Sequence, residues 1–343
     1  MTAYQVLHTS NQPRCPHTLS RPSLPLGPWA VSRHTAACSL KRHLANMAAE
    51  EPFPLLPITS SETIRKCAVL ELRARDVFVA SYPKSGTTWM QHIVHTLATD
   101  GNSPLPHVSD ACPFFEVDRT WEPASDGLTA AVCANHEKIN CRIFNTHLRW
   151  RMMPQDSPDA RYVYMTRRAV DACVSFYHHL SHQAEADGGY SGTLEAFIDD
   201  WTHGRAPFGS WSAHLRSWLG ATAGDERRIL VISYEELKAD PRACVLRVNA
   251  HCGFGLSDAR IDELLPRFSF EWMRANESQF HPRSVRWERK AEDGEDFHFI
   301  RKGQVGDGDT AFGPAQLASL RHMAETTWGA AGPPADVAKL LPA

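Results

Sequence analysis

Val77-Phe78-Val79-Ala80-Ser81-Tyr82-Pro83-Lys84-Ser85-Gly86-Thr87-Thr88-Trp89 runs into Met90-Gln91-His92-Ile93-Val94-His95-Thr96-Leu97, and this junction decides the fold. The short apolar run before it reads as a buried strand and the run after it as an amphipathic helix. Between them sit a lysine, a glycine and three hydroxyl residues: Lys84, Gly86, Ser85, Thr87 and Thr88. That composition at a strand-to-helix turn makes a phosphate cradle. Backbone N–H groups at the helix N-terminus point at an anion, and Lys84 adds a mobile positive charge. Gly86 lets the backbone approach the ligand closely. The loop is not a Walker A motif, which needs its lysine directly after the second glycine. Here Lys84 precedes Gly86.

Outward from this junction the chain alternates strands and helices. Segments 77–82, 142–147, 161–166 and 228–234 read as strands, and 169–182, 194–201, 210–218 and 242–252 as helices. Short buried strands interleaved with helices predict an α/β fold, a single domain with a central, mostly parallel sheet covered on both faces. In such sheets ligands bind at the carboxyl ends of the strands, where both the phosphate loop and His147 fall.

The 343 residues are 43% hydrophobic, enough for a full core, and the formal net charge of −3 comes with no basic tract. A nucleic-acid partner is therefore not expected. No apolar run is long enough to span a bilayer. The nine cysteines form no C-x-x-C pair, which suits reduced thiols in a cytoplasmic protein rather than a disulfide framework. His178 and His182 have a metal-compatible spacing but no obvious third ligand, so no metal is expected. Residues 1–46 carry arginines but no Asp or Glu and show no apolar periodicity. They read as a disordered leader or an extension ahead of Met47, with organelle targeting as the alternative. The domain is expected over 47–335.

The phosphate loop resembles the 5′-phosphosulfate loop of the cytosolic sulfotransferase family, and further segments of the chain resemble that family in the same order. Asn145-Thr146-His147-Leu148 is similar to its Lys-Thr-His-Leu. Residues 167–178, beginning Arg167-Arg168-Ala169-Val170-Asp171, are similar to its 3′-phosphate segment. Tyr234-Glu235-Glu236-Leu237, Ser269-Phe270-Glu271-Trp272-Met273 and Arg301-Lys302-Gly303 continue the series. The resemblance implies a P-loop-like phosphosulfate loop and the sulfuryl donor 3′-phosphoadenosine 5′-phosphosulfate (PAPS). It implies that Lys84, Ser85, Gly86, Thr87 and Thr88 hold the 5′-phosphosulfate. Arg167, Ser175, Arg301, Lys302 and Gly303 would hold the 3′-phosphate. Trp89, Tyr234, Ser269, Phe270 and Met273 would hold the adenine. Arginine suits the second anion because its planar fork matches phosphate oxygens. His147 is then the general base, since an imidazole is matched to proton abstraction near neutral pH. Lys84 would stabilise the leaving phosphate, and Ser175 would contact Lys84 before the acceptor arrives. Phe114, Phe115, Asn145, His147 and His179 would line the acceptor pocket for a small-molecule hydroxyl or amine.

The chain departs from the family at several places. Asn145 stands where a lysine is usual, His179 where an aromatic residue is usual, and Gly308 where a tryptophan is usual. The family's dimer signature would fall at 309–318, but Asp309, Gly313, Pro314 and Ala318 occupy its defining places, so that dimer is not expected. Two other reactions remain open at this point: a dehydratase working through a transient sulfate ester, and a nucleotide-dependent phosphoryl transferase. A carbohydrate sulfotransferase with a membrane anchor and a donor-binding module without catalysis are the remaining alternatives. The intact Lys84, His147 and Ser175 argue against the last.

Overall fold

Four short runs of β-branched and aromatic residues pair side by side: β1 (Val77–Ser81), β2 (Ile143–Thr146), β3 (Arg161–Thr166) and β4 (Ile229–Ser233). They form one sheet in the order β2-β1-β3-β4, and every pairing is parallel. This computed structural model describes residues 53–288 and 297–342. The expectation for residues 1–46 lies outside the described residues.

Strand period two sorts the side chains onto two apolar faces. Val77, Val79, Ile143, Val163, Met165 and Ile232 form one layer with the helices Thr87–Ala98, Pro241–Cys252 and Asp258–Leu264. On the other face the register sets Phe78 opposite both Phe144 and Tyr162. The rings stack, with centroids 5.0 and 5.1 Å apart. Trp218, on the helix Trp211–Asp225, stacks on Tyr164 at 4.9 Å. The three cross-strand rings are fully buried. Each such side chain contributes about 1.5–3 kcal/mol relative to exposure. A separate apolar layer joins the helices Ala169–Leu180, Leu194–Thr202 and Pro314–Trp328.

The sequence reading of a mostly parallel sheet flanked by helices therefore holds, and the sheet is wholly parallel. Element ends differ by a residue or more, for local reasons. Segment 228–234 stops at Ser233, whose hydroxyl accepts from Glu236 N–H and caps the helix Tyr234–Ala239. Segment 142–147 stops at Thr146, because the His147 N–H turns to a side chain instead of a strand. Segment 210–218 becomes Trp211–Asp225, with Ser210 as its cap. The consequence for function is positional. His147 follows β2, the phosphate loop follows β1, Arg167 follows β3 and Tyr234 follows β4, so all four stand at the carboxyl end of the parallel sheet.

Candidate active site

The loop after β1 turns through two left-handed residues, Lys84 (φ 65°) and Gly86 (φ 96°). A Cβ at Gly86 would lie 3.0 Å from the Tyr234 ring, so glycine answers both the backbone and the packing. Gly86 precedes the helix Thr87–Ala98 without a side-chain cap. The first-turn N–H groups thus carry the positive end of the helix dipole with no side chain bound to them from the cap. Ser85 is buried, and among the described residues its hydroxyl has no partner. Thr87 is tied to Ser81 through their hydroxyls at 2.5 Å.

Arg167 packs its guanidinium over the Tyr234 ring at 4.4 Å. It donates from Nη1 to the Lys84 carbonyl (2.8 Å) and from Nη2 to the Gln304 carbonyl (3.3 Å). Its buried Nε has no partner among the described residues. Arg301 and Lys302 both pair with Asp307. Burial works to raise the Asp307 carboxyl, but the bonds from Lys302 and Arg301 win and hold it below its ordinary value. The loop is anchored from beneath: Asp171, on the helix Ala169–Leu180, accepts from Gly306 N–H (2.9 Å) and Gly308 N–H (2.8 Å). The chain passes so close there that a Cβ at Gly308 would meet the Val170 backbone at 2.5 Å, which leaves no room for a larger residue. Gly303 is left-handed (φ 61°), and a Cβ there would collide with the Phe270 ring.

His147 sits between the edges of Phe114 and Phe208, with ring centroids 5.3 and 5.2 Å away. Its Nδ1 lies 2.8 Å from the Ser81 carbonyl. A carbonyl can only accept, so Nδ1 carries the proton and Nε2 holds the free lone pair. Burial lowers the ring's pKa to about 4, with Lys84 adding to the effect and the Ser81 bond opposing it. The imidazole is therefore neutral at physiological pH. Lys84 is lowered to about 7 by burial and then by the charges of Arg167 and Arg301. Its Nζ lies 3.2 Å from His179 Nδ1 and 4.6 Å over the Phe299 ring. His179 lies one helical turn beyond Ser175, and both line the same cavity as Lys84. Burial, then Lys84 and His147, keep His179 well below its ordinary pKa, so the ring is neutral, and its Nδ1 accepts whenever Lys84 is protonated, because an ammonium can only donate.

These groups line one cavity of about 470 Å³. Lys84, Gly86, Thr87, Thr88, Trp89, Arg167, Ser175, Tyr234, Phe270, Met273, Arg301, Lys302 and Gly303 face it, as do Phe114, Asn145, His147 and His179. Three expected residues do not. Phe115 is fully buried against Phe78, Phe144 and Trp121, since alternation along the chain turns it into the core when Phe114 faces the cavity. It is a core residue, not pocket wall. Ser269 caps the helix Phe270–Ala275 through Trp272 N–H and acts on the site through Phe270 and Met273. Ser85 belongs to the loop, but it is buried and does not line the cavity. Phe208, Phe299 and Lys238 also line the cavity but carry no recognisable spacing in the sequence. Among the described residues no group of three or more His, Cys, Asp or Glu could hold a metal. His182 instead bonds the His178 carbonyl at 2.8 Å.

A sequence model of the sulfotransferase domain matches residues 74–331, most of the chain. Sulfotransferase 1C2 of Rattus norvegicus is 30% identical over 250 residues, spanning 70% of this chain and 79% of that protein. Sulfotransferase 1E1 of Homo sapiens is 28% identical over 250 residues, spanning 71% and 80%. Among solved structures, mouse sulfotransferase SULT7A1 complexed with PAP superposes with a TM-score of 0.63 at 23% identity, covering 83% of this chain and 94% of that one. Retinol dehydratase in a complex with retinol and PAP superposes with a TM-score of 0.60 at 20% identity, covering 78% and 85%. The chain belongs to the sulfotransferase family. It is a PAPS-dependent sulfotransferase, and the phosphoryl-transferase alternative falls away. No described helix is long and apolar enough to cross a membrane.

Proposed function

We propose that this enzyme moves a sulfuryl group from PAPS to the hydroxyl or amine of a small, largely apolar acceptor, with His147 as base and Lys84 at the leaving phosphate. The single observation that carries the reading is the Nδ1–Ser81 carbonyl bond of His147. It fixes the tautomer, so Nε2 is unprotonated and points its lone pair at the cavity. Phe114, Phe208 and Phe299 give the chamber its apolar walls, while Asn145 and His179 supply polar points, a composition that suits an alcohol or phenol.

The residues also suit the donor. Arg167 Nε is a buried polar group with no partner among the described residues, on a side chain that lines the cavity, and an anion would satisfy it. Gly86 and Gly303 let the Tyr234 and Phe270 rings, which line the cavity, pack directly on the backbone. When bound, the donor supplies an activated sulfur whose bond to the 5′-phosphate oxygen breaks as the acceptor attacks. His147 takes the acceptor proton on Nε2. Lys84 neutralises the charge gathering on the phosphate oxygen, and the open N–H groups of the helix Thr87–Ala98 add to that field. Arg167, Ser175, Arg301, Lys302 and Gly303 hold the 3′-phosphate, and Trp89, Tyr234, Phe270 and Met273 enclose the adenine.

The test is His147→Asn, assayed with labelled donor against a panel of phenols, alcohols and amines. Transfer is expected to be lost while calorimetric binding of 3′-phosphoadenosine 5′-phosphate (PAP) is retained. Retained transfer would reject His147 as base. Analysis of the product in the same assay separates a stable sulfate ester from its elimination product.

A further inference from the structure

We infer that His214 and Glu116 are positioning residues for transfer: they clamp the two main-chain polar groups of His147 and so hold its Nε2 edge toward the acceptor. β2 ends at Thr146, which leaves the N–H and C=O of His147 without strand partners inside a packed core. Two side chains replace the strand. Glu116 accepts the His147 N–H at 2.5 Å, and His214 Nε2 donates to the His147 carbonyl at 2.9 Å. Each comes from a different element. Glu116 ends a short stretch that runs beside β2, where Phe115 N–H donates to Asn145 O and Asn145 N–H donates to Pro113 O. Its carboxyl thus takes the next rung of that ladder. His214 lies on the helix Trp211–Asp225 and is fully buried.

The His214 bond has a fixed direction. The His147 carbonyl demands N–H at Nε2 of His214, so His214 Nδ1 must accept, and it does so from the Tyr164 hydroxyl at 2.9 Å. Tyr164 is itself locked under Trp218. A chain of directed bonds therefore runs from β3 through Tyr164 and His214 to the backbone of His147. On the other side stands a wholly buried carboxyl, Glu116. With both main-chain groups held, the bond from Nδ1 to the Ser81 carbonyl and the flanking Phe114 and Phe208 rings orient the free edge of the imidazole. A base misplaced by a fraction of an ångström loses rate rather than donor affinity. None of these contacts involves a residue proposed to touch the donor, so the predicted defect is confined to turnover.

This inference rests on His147 being the base. The experiment compares His214→Leu, which removes the donor, with His214→Gln, whose amide can still donate, and Glu116→Leu with Glu116→Gln. The leucine variants are expected to lower kcat about tenfold or more while leaving the KM for PAPS and the affinity for PAP unchanged. The glutamine variants should recover most of the loss. Tyr164→Phe keeps the fold's volume and serves where a leucine variant does not fold. It should lower kcat in the same way, and 15N spectra of its His214 should show a mixture of tautomers where the parent shows Nε2–H alone. The inference is overturned if a folded leucine variant or Tyr164→Phe keeps its kcat. A parallel loss of PAP binding, or no advantage of glutamine over leucine, overturns it equally. If His147→Asn itself retains turnover, the base assignment has failed instead, a result these variants do not produce.

Discussion

Arg167 donates from Nη1 to the backbone carbonyl of Lys84 at 2.8 Å, so the residue proposed for one end of the donor holds the loop proposed for the other. The second arm reaches the Gln304 carbonyl in the loop that carries Arg301 and Lys302. One guanidinium therefore ties two strand-end segments to the loop at 301–307, and its planar fork is what makes two divergent bonds possible.

Arg167→Lys keeps the charge and loses the fork. Affinity for PAP should fall by roughly 1.5–3 kcal/mol, the range for hydrogen bonds to charged groups. Affinity for adenosine 5′-phosphate should fall far less. Calorimetric titration with both nucleotides measures this, and equal losses would mean that Arg167 does not read the 3′-phosphate.

The pH dependence follows from two buried bases. Lys84 titrates near 7 in the fold against 10.5 for its ordinary value. Between those values the unfolded chain holds a proton that the folded chain has released, so Lys84 makes unfolding free energy rise with pH across that window. Donor binding has the opposite sign, because the anion favours protonated Lys84. PAP affinity should therefore decline above pH 7, with proton uptake on binding, and Lys84→Met should remove both effects. On the acid side His147, lowered to about 4, stays unprotonated well below pH 6, as the proposed base must. The profile of kcat/KM should thus fall only as pH approaches 4. An acid limb near 6.5 would show that the ring is not held neutral as described.

Gly303→Ala forces a Cβ into the Phe270 ring from a left-handed backbone. Backbone strain of this kind costs on the order of 1–3 kcal/mol, and here the displaced ring borders the proposed adenine site. Weakened PAP binding with little change in acceptor preference is the expected outcome. Titration of the variant, with thermal unfolding as a control for folding, decides it.

Phe114 and Phe115 separate function from stability. Phe115→Ala should destabilise the fold by about 3–5 kcal/mol, as for other buried aromatics, without altering the order of preferred acceptors. Phe114→Ala should raise acceptor KM or reorder the preferences at a smaller stability cost. Unfolding by denaturant and acceptor screening on both variants measure the split, and a reversed pattern would place the wrong ring in the cavity.

The fold and donor loop were legible because they rest on local signals. Apolar runs mark β1 to β4, and a lysine, a glycine and hydroxyls at a strand-to-helix turn mark an anion site whatever surrounds them. The facing of Phe114 against Phe115 was less legible. Two adjacent aromatics look alike in sequence, and only pairing with Asn145 settles which one turns inward. Phe208 escaped the sequence reading because it belongs to no periodic run, and Phe299, although it opens the segment that contains Arg301-Lys302-Gly303, carried no sign that it lines the cavity.

The sequence by itself determined the alternation of strands and helices and the chemistry of the residues at the strand ends, since both follow from period and side-chain type. Only the tertiary structure decided the tautomer of His147, the partner of Lys84 and the buried chain from Tyr164 through His214. These depend on groups separated by as many as 95 positions along the chain, as for Lys84 and His179, brought within hydrogen-bond reach by the parallel crossovers. Hydrogen-bond direction and desolvation arise only from such proximity, and no local pattern of residues encodes them.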